Sequence, residues 1–160
     1  MVVAVGGNLP GRFASVRAGL EAAVAALPTA GFAVTRRSRW WRSAAWPDPG
    51  EPAFLNAALL AETRLEPREA LAALHAVEAA FGRRREAANA PRTVDLDLIA
   101  YADRVVDEPG LTLPHPRAPE RLFVVGPLAE IAPDWAWPAG ATAAELAARA
   151  TVGADARPAD

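Results

Sequence analysis

The chain has no cysteine and no lysine; its 17 basic residues, set against 19 acidic ones over 160 positions, are all arginine. Without cysteine there is no disulfide framework, no thiolate nucleophile and no cysteine-ligated zinc. Without lysine there is no phosphate loop of the G-x-x-x-x-G-K-[ST] kind and no Schiff-base chemistry. A net charge of -2 argues against a nucleic-acid binder that works through bulk charge. No run nears the ~20 apolar residues that a membrane-spanning helix needs. Residues 1–8 lack the basic segment and long apolar stretch of a secretory signal. These absences leave the expectation of a cytoplasmic protein that meets neither nucleic acid nor membrane. Apolar residues make up 52% of the chain, enough to build one hydrophobic core.

Periodicity then divides the chain. Residues 2–5, stopped by Gly6-Gly7-Asn8, predict a buried strand entering a loop. Phe13, Val16, Leu20, Val24 and Leu27 fall on one helical stripe that Pro28 and Gly31 end. Residues 32–41 predict a strand, 43–52 a proline-rich loop and 53–63 a second strand. Pro67 opens a helix with Leu71, Leu74, Val77 and Phe81 on its inner face and Gly82 at its end. A polar, mobile loop follows through Arg83-Arg84-Arg85 to Pro91, then a strand over 93–100. Residues 123–131 predict a helix, with Gly126-Pro127 arguing against its continuity, and Thr142-x-x-Glu145 is a capping box for a last one. The expectation is an α+β, ferredoxin-like βαββαβ antiparallel sheet with extra C-terminal helices: one domain over 1–150 and a frayed tail over 151–160.

The strongest chemical signal is Pro91-Arg92-Thr93-Val94-Asp95-Leu96-Asp97-Leu98. In a strand, Val94, Leu96 and Leu98 point one way and Asp95 and Asp97 the other. Carboxylates ~6.5 Å apart along a strand suit metal ligation better than sharing one proton. Oxygen ligands favour Mg²⁺. The bland alternative, two acids on the wet side of a strand, stays open. Arg83, Arg84, Arg85, Arg92, Arg117 and Arg121 crowd around this strand, and guanidinium forks suit phosphate. His115, between two prolines, has a stiff backbone; His75 and Glu78 read as boundary residues of the second helix. Phe54, Phe123 and Asn56 could hold a flat heterocycle, although core packing explains both rings equally well. Trp40, Trp41 and Trp46 flank the first loop, where some would pack only against a ligand.

Taken in order, Gly6-Gly7-Asn8-Leu9, Phe54-Leu55-Asn56-Ala57, Glu78 with Gly82-Arg83, the P-R-T-x-D-L-D-L stretch, and Leu113-Pro114-His115-Pro116-Arg117 with Arg121 and Phe123 resemble the 6-hydroxymethyl-7,8-dihydropterin pyrophosphokinase family. The resemblance implies ATP as donor, AMP as product, and two Mg²⁺ ions on Asp95 and Asp97. It places the pterin on Asn56 between the rings of Phe54 and Phe123, with Ser43, Ala44 and Trp46 lining that side. It gives Arg83, Arg92, His115 and Arg121 to the triphosphate, with His75 and Glu78 near the nucleotide and Arg83, Arg92, Asp95 and Asp97 as the catalytic group. The chain departs from the family at Ser43-Ala44-Ala45, where relatives often carry Thr-Pro-Pro, and at Asn89, where some carry Trp. It would act as a monomer on small molecules. Two competing readings are a metal-dependent phosphohydrolase on the same scaffold and a non-catalytic small-molecule sensor.

Overall fold

The computed structural model describes residues 1–45, 48–83, 92–138 and 140–159. The strand β1 (Val2–Gly7) is an inner strand of a six-stranded sheet, one in from its end, and is buried on both faces. It pairs antiparallel with β4 (Phe54–Glu62) on one side and β5 (Asp95–Ala100) on the other. The far side of β4 carries β2 (Ala33–Arg37) and β3 (Trp41–Ser43), both antiparallel to it. A two-stranded hairpin, β6 (Val106–Glu108) and β7 (Leu111–Leu113), turns at Pro109-Gly110, where Gly110 adopts φ 79°.

Among the described residues, four α-helices cover the sheet. α1 (Val16–Ala26) begins where the Ser15 hydroxyl accepts the Ala18 N–H, and α2 (Pro67–Ala80) begins on a Glu66–Glu69 capping box with proline in its first turn. Leu20, Ala23 and Leu27 pack with Ala70, Leu74 and Val77 over Val3, Val5, Leu59, Leu96 and Leu98 to form one core. α3 (Leu122–Ile131) and α4 (Ala143–Arg149) close the opposite face. There Val124, Val125, Leu128 and Leu146 bury Val2, Ala58, Ile99 and Ala100. The Thr142–Glu145 capping box forms as its spacing predicts, and α3 runs unbroken through Pro127. The architecture is therefore α+β, with an antiparallel sheet between two helical layers.

Three expectations need correction. The strand over 32–41 is two strands, because the chain turns inward at Ser38–Trp40. The Ser38 hydroxyl accepts the Ala58 N–H at 3.0 Å, and Trp40 buries its indole with Nε1 donating to Glu21 Oε1 at 3.3 Å. Trp40 is thus core and needs no ligand to pack. Nor are residues 151–159, within the tail expected to fray, left without contacts. Arg157–Pro158 (β8) adds a strand to β3, Ala156 is buried, and the Ala159 N–H donates to the Trp40 carbonyl at 2.7 Å. Third, Glu78 is no boundary residue. It is 1% exposed, and its carboxylate accepts the Leu96 N–H at 2.7 Å while pairing with Arg83.

Candidate active site

The alternation of β5 sorts its side chains as the sequence predicts. Val94, Leu96 and Leu98 enter the core beneath α1 and α2, and Asp95 and Asp97 face the other way. Both carboxylates open into a cleft lined also by Gly6, Ser43, Ala44, Phe54, Asn56, Arg92, Arg121 and Phe123. Its empty space, counted out to the open mouth with the solvent there included, is about 680 Å³. β1, β3, β4, β5 and the start of α3 each supply part of the wall.

The acidic end is crowded. Arg83 bridges Glu78 and Asp95, and Arg92 Nη1 donates to Asp95 Oδ2 at 2.7 Å. Burial works against the charge on Arg83, but Asp95, Glu78 and Asp97 outweigh it and hold its pKa above the ordinary value. Asp97 lies deep in the cleft. Desolvation, with the nearby charges of Asp95 and Glu78, pushes its carboxyl up to about 7, only partly opposed by Arg83 and Arg121. The basic end is the mirror case. Burial, reinforced by Arg117, lowers the Arg121 pKa, while burial with Arg121 and Arg117 lowers that of His115. The His115 N–H donates to the Ile99 carbonyl at 2.8 Å, and its Nδ1 accepts the Arg117 N–H at 3.3 Å. These groups are the ones a bound polyanion and a cation would relieve from opposite sides.

The apolar end is built differently. Asn56 is buried and its Nδ2 donates to Ser43 Oγ at 3.1 Å. Opposite it in β1 stands Gly6, where a Cβ would lie 2.8 Å from Asn56 Oδ1, so only glycine leaves that amide its place. Phe54 and Phe123 are half-buried, and among the described residues no ring contact joins them. They stand on separate walls of the cleft. Trp41, beside them, packs against Gly126 and donates its Nε1 to Glu130 Oε2 at 3.0 Å, tying β3 to α3.

Of the residues expected at a site, Ser43, Ala44, Phe54, Asn56, Arg92, Asp95, Asp97, Arg121 and Phe123 converge on this cleft. Arg83 reaches it through Asp95. His115, His75 and Glu78 do not line it: His115 stands behind β5, His75 is half-buried on α2, and Glu78 is enclosed. Trp46, Arg84, Arg85, Asn89 and the arginine loop beyond Arg83 lie outside the described residues. Asn8 was not anticipated as a site organiser. It is buried, exchanges hydrogen bonds with the Arg92 backbone at 3.0 and 2.8 Å, and donates its Nδ2 to the Pro52 carbonyl at 2.9 Å. An asparagine directly after a Gly-Gly strand end was its available signal.

The model of the 7,8-dihydro-6-hydroxymethylpterin-pyrophosphokinase family matches residues 2–133. The chain is 45% identical over 138 residues to a 2-amino-4-hydroxy-6-hydroxymethyldihydropteridine pyrophosphokinase of Synechocystis sp., covering 86% of this chain and 68% of that one. It is 42% identical over 130 residues to the protein of the same name from Methylorubrum extorquens, covering 81% and 80%. It is also 34% identical over 131 residues to the mitochondrial folate synthesis bifunctional protein of Pisum sativum, where the match spans 82% of this chain and 25% of that protein. With the greater part of its length matched and its cleft built from the matched segments, this chain belongs to the 7,8-dihydro-6-hydroxymethylpterin pyrophosphokinase family.

Proposed function

We propose that this cleft transfers pyrophosphate from ATP to the hydroxymethyl oxygen of 6-hydroxymethyl-7,8-dihydropterin, a step of folate biosynthesis that releases AMP. The observation that carries the reading is the make-up of the cleft: Asp95 and Asp97 with Arg92 and Arg121 share it with the buried amide of Asn56 and the rings of Phe54 and Phe123. Asn56 offers a donor and an acceptor to a heterocycle whose faces meet Phe54 and Phe123, with Ser43 and Ala44 on the adjoining wall. Arg83, Arg92, His115 and Arg121 are assigned to the triphosphate, with His75 and Glu78 behind them. On nucleotide binding, Arg83 and Arg92 exchange Asp95 for phosphate oxygens, which accept the same bidentate fork. The pterin oxygen bonds to the β-phosphorus, the bond from that phosphorus to the α-phosphate oxygen breaks, and the hydroxyl proton is released. Positioning and charge neutralisation supply most of such catalysis.

The donor set fits Mg²⁺. Among the described residues no group of three metal-binding side chains exists, and Mg²⁺ is usually held by one or two carboxylates plus substrate phosphates. The raised pKa of Asp97 marks a carboxylate short of positive charge. Asp95 and Asp97 would hold two ions, whose role when bound is to neutralise charge on the phosphate oxygens. Removing metal with a chelator should abolish AMP formation, and added Mg²⁺ should restore it; turnover unchanged by chelation would remove the metal from this reading.

The order β5–β1–β4–β2 supports a ferredoxin-like core, with α3 and α4 as the added layer. No helix among the described residues is long and apolar enough to cross a membrane. The direct test is AMP release from ATP and Mg²⁺ with and without the pterin alcohol. Release should require the alcohol. AMP formed equally without it would point to a hydrolase, and ligand binding without turnover to a sensor.

Asn56→Ala should separate the two substrates. It leaves pterin polar atoms unpaired and the triphosphate end untouched, so pterin affinity should fall by roughly 1–3 kcal/mol while ATP affinity holds. Calorimetry showing equal losses for both would count against a pterin-specific Asn56.

A further inference from the structure

Residues 152–159 lie beyond the segment the family model matches, yet they touch both walls of the apolar end of the cleft. On one side, the Val152 N–H donates to the Glu120 carbonyl and its own carbonyl accepts the Leu122 N–H, each at 2.9 Å. That grips the turn from which Arg121 and Phe123 project. Gly153 then lies flat on the Phe123 ring: a Cβ there would meet Cδ1 at 2.4 Å, and its φ of 68° already favours glycine. On the other side, Asp155 Oδ2 accepts the Ala44 N–H at 2.6 Å, and Arg157–Pro158 pairs with Trp41 and Arg42.

Ala44 and Ala45 have backbone freedom that prolines would remove. Ala44 also has an N–H, which a proline would lack, and Asp155 uses it. We propose that residues 152–159 are a strap setting the spacing of the two pterin walls, with Asp155 the positioning residue that stiffens the Ser43–Ala45 wall where proline does not. The inference rests on the pterin reading above. Asp155 is exposed and does not line the cleft, so it acts through Ala44.

The test compares Asp155→Ala, Asp155→Asn and Asp155→Ala placed on an Ala44→Pro background. Asp155→Ala should raise the pterin KM about five- to tenfold, the effect of one charge-assisted hydrogen bond. The ATP KM should stay unchanged, and the unfolding midpoint should move by less than about 2 °C. Asp155→Asn, whose amide oxygen still accepts, should fall between. On the Ala44→Pro background, adding Asp155→Ala should change the pterin KM less than about twofold, because the hydrogen bond it removes is already gone. In the ligand-free protein, Asp155→Ala should speed Ala44 amide exchange about tenfold or more. An unchanged pterin KM in Asp155→Ala, an equal rise in the ATP KM, or the same penalty on the proline background would overturn the strap. If the parent protein makes no AMP from the pterin alcohol, the pterin reading fails instead. The Ala44 exchange rate still decides whether Asp155 holds the loop.

Discussion

Asp97→Asn should give a protein that is more stable than the parent and nearly inert. In the absence of substrate the Asp97 carboxylate is half-buried beside Asp95 and Glu78, and its pKa of about 7 reflects the cost of ionising it there. An amide of the same shape removes the like-charge repulsion and much of the desolvation. The expected gain at neutral pH is about 1–3 kcal/mol, a rise of roughly 3–6 °C in a metal-free thermal melt. On the metal-holding role proposed for Asp97, turnover should fall roughly a thousandfold or more, as several kcal/mol of charge stabilisation at the phosphates would go with the carboxylate. The two readouts move in opposite directions, which simple misfolding cannot mimic. An active variant, or one that melts below the parent, would sink the idea that this carboxylate is strained for function.

Gly7→Ala should damage fold and activity together. A Cβ at Gly7 would sit 2.4 Å from the Thr93 carbonyl oxygen and 3.1 Å from its carbon. Both obstacles are backbone, so no rotamer change relieves them. The neighbouring Asn8 and Leu9 N–H groups both bond the Arg92 carbonyl, so pushing Thr93 away pulls on the same short segment. The expected loss is roughly 2–3 kcal/mol of stability. Activity should drop roughly a hundredfold, because Arg92 and Asp95 flank Thr93 and catalysis is sensitive to misplacement on the ångström scale. Gly82→Ala is the natural comparison. Unlike Gly7 it sits in a turn, with φ 85°, and a Cβ there meets nothing within 4 Å. It should cost only backbone strain, about 1 kcal/mol. Comparable losses for the two variants, by denaturant titration, would show that the approach to Thr93 is not limiting.

The contrast between what the sequence reveals and what it hides follows the range of the interactions. Period-two alternation is local, so the faces of Asp95 and Asp97 are legible from eight residues, and the cap at Thr142–Glu145 from four. The grouping of Asn56, Phe54 and Phe123 became legible through the family resemblance, since spacing alone fitted core packing equally well. Pairings between distant segments leave little local trace. Residues 151–159 show no period, yet Arg157 meets Arg42 across the sheet. Trp40 turns inward between two strands, where α1 provides Glu21 as a partner for its indole. The sequence assigns nothing over 101–113, although Pro109-Gly110 between short β-prone segments was a hairpin signal. Glu78 looks like a helix-surface acid until β5 lies against it.

That last contact also bears on how the molecule behaves at high concentration. β5 is the end strand of the sheet, and an open strand edge is a template onto which another chain can add. Here the Leu96 N–H is taken by the Glu78 carboxylate and the Ile99 carbonyl by the His115 N–H. A helix side chain and a loop backbone thus occupy hydrogen-bonding positions that a foreign strand would use. The contacts that hold β5 in place beside the cleft also protect the sheet from growing edge to edge into aggregates.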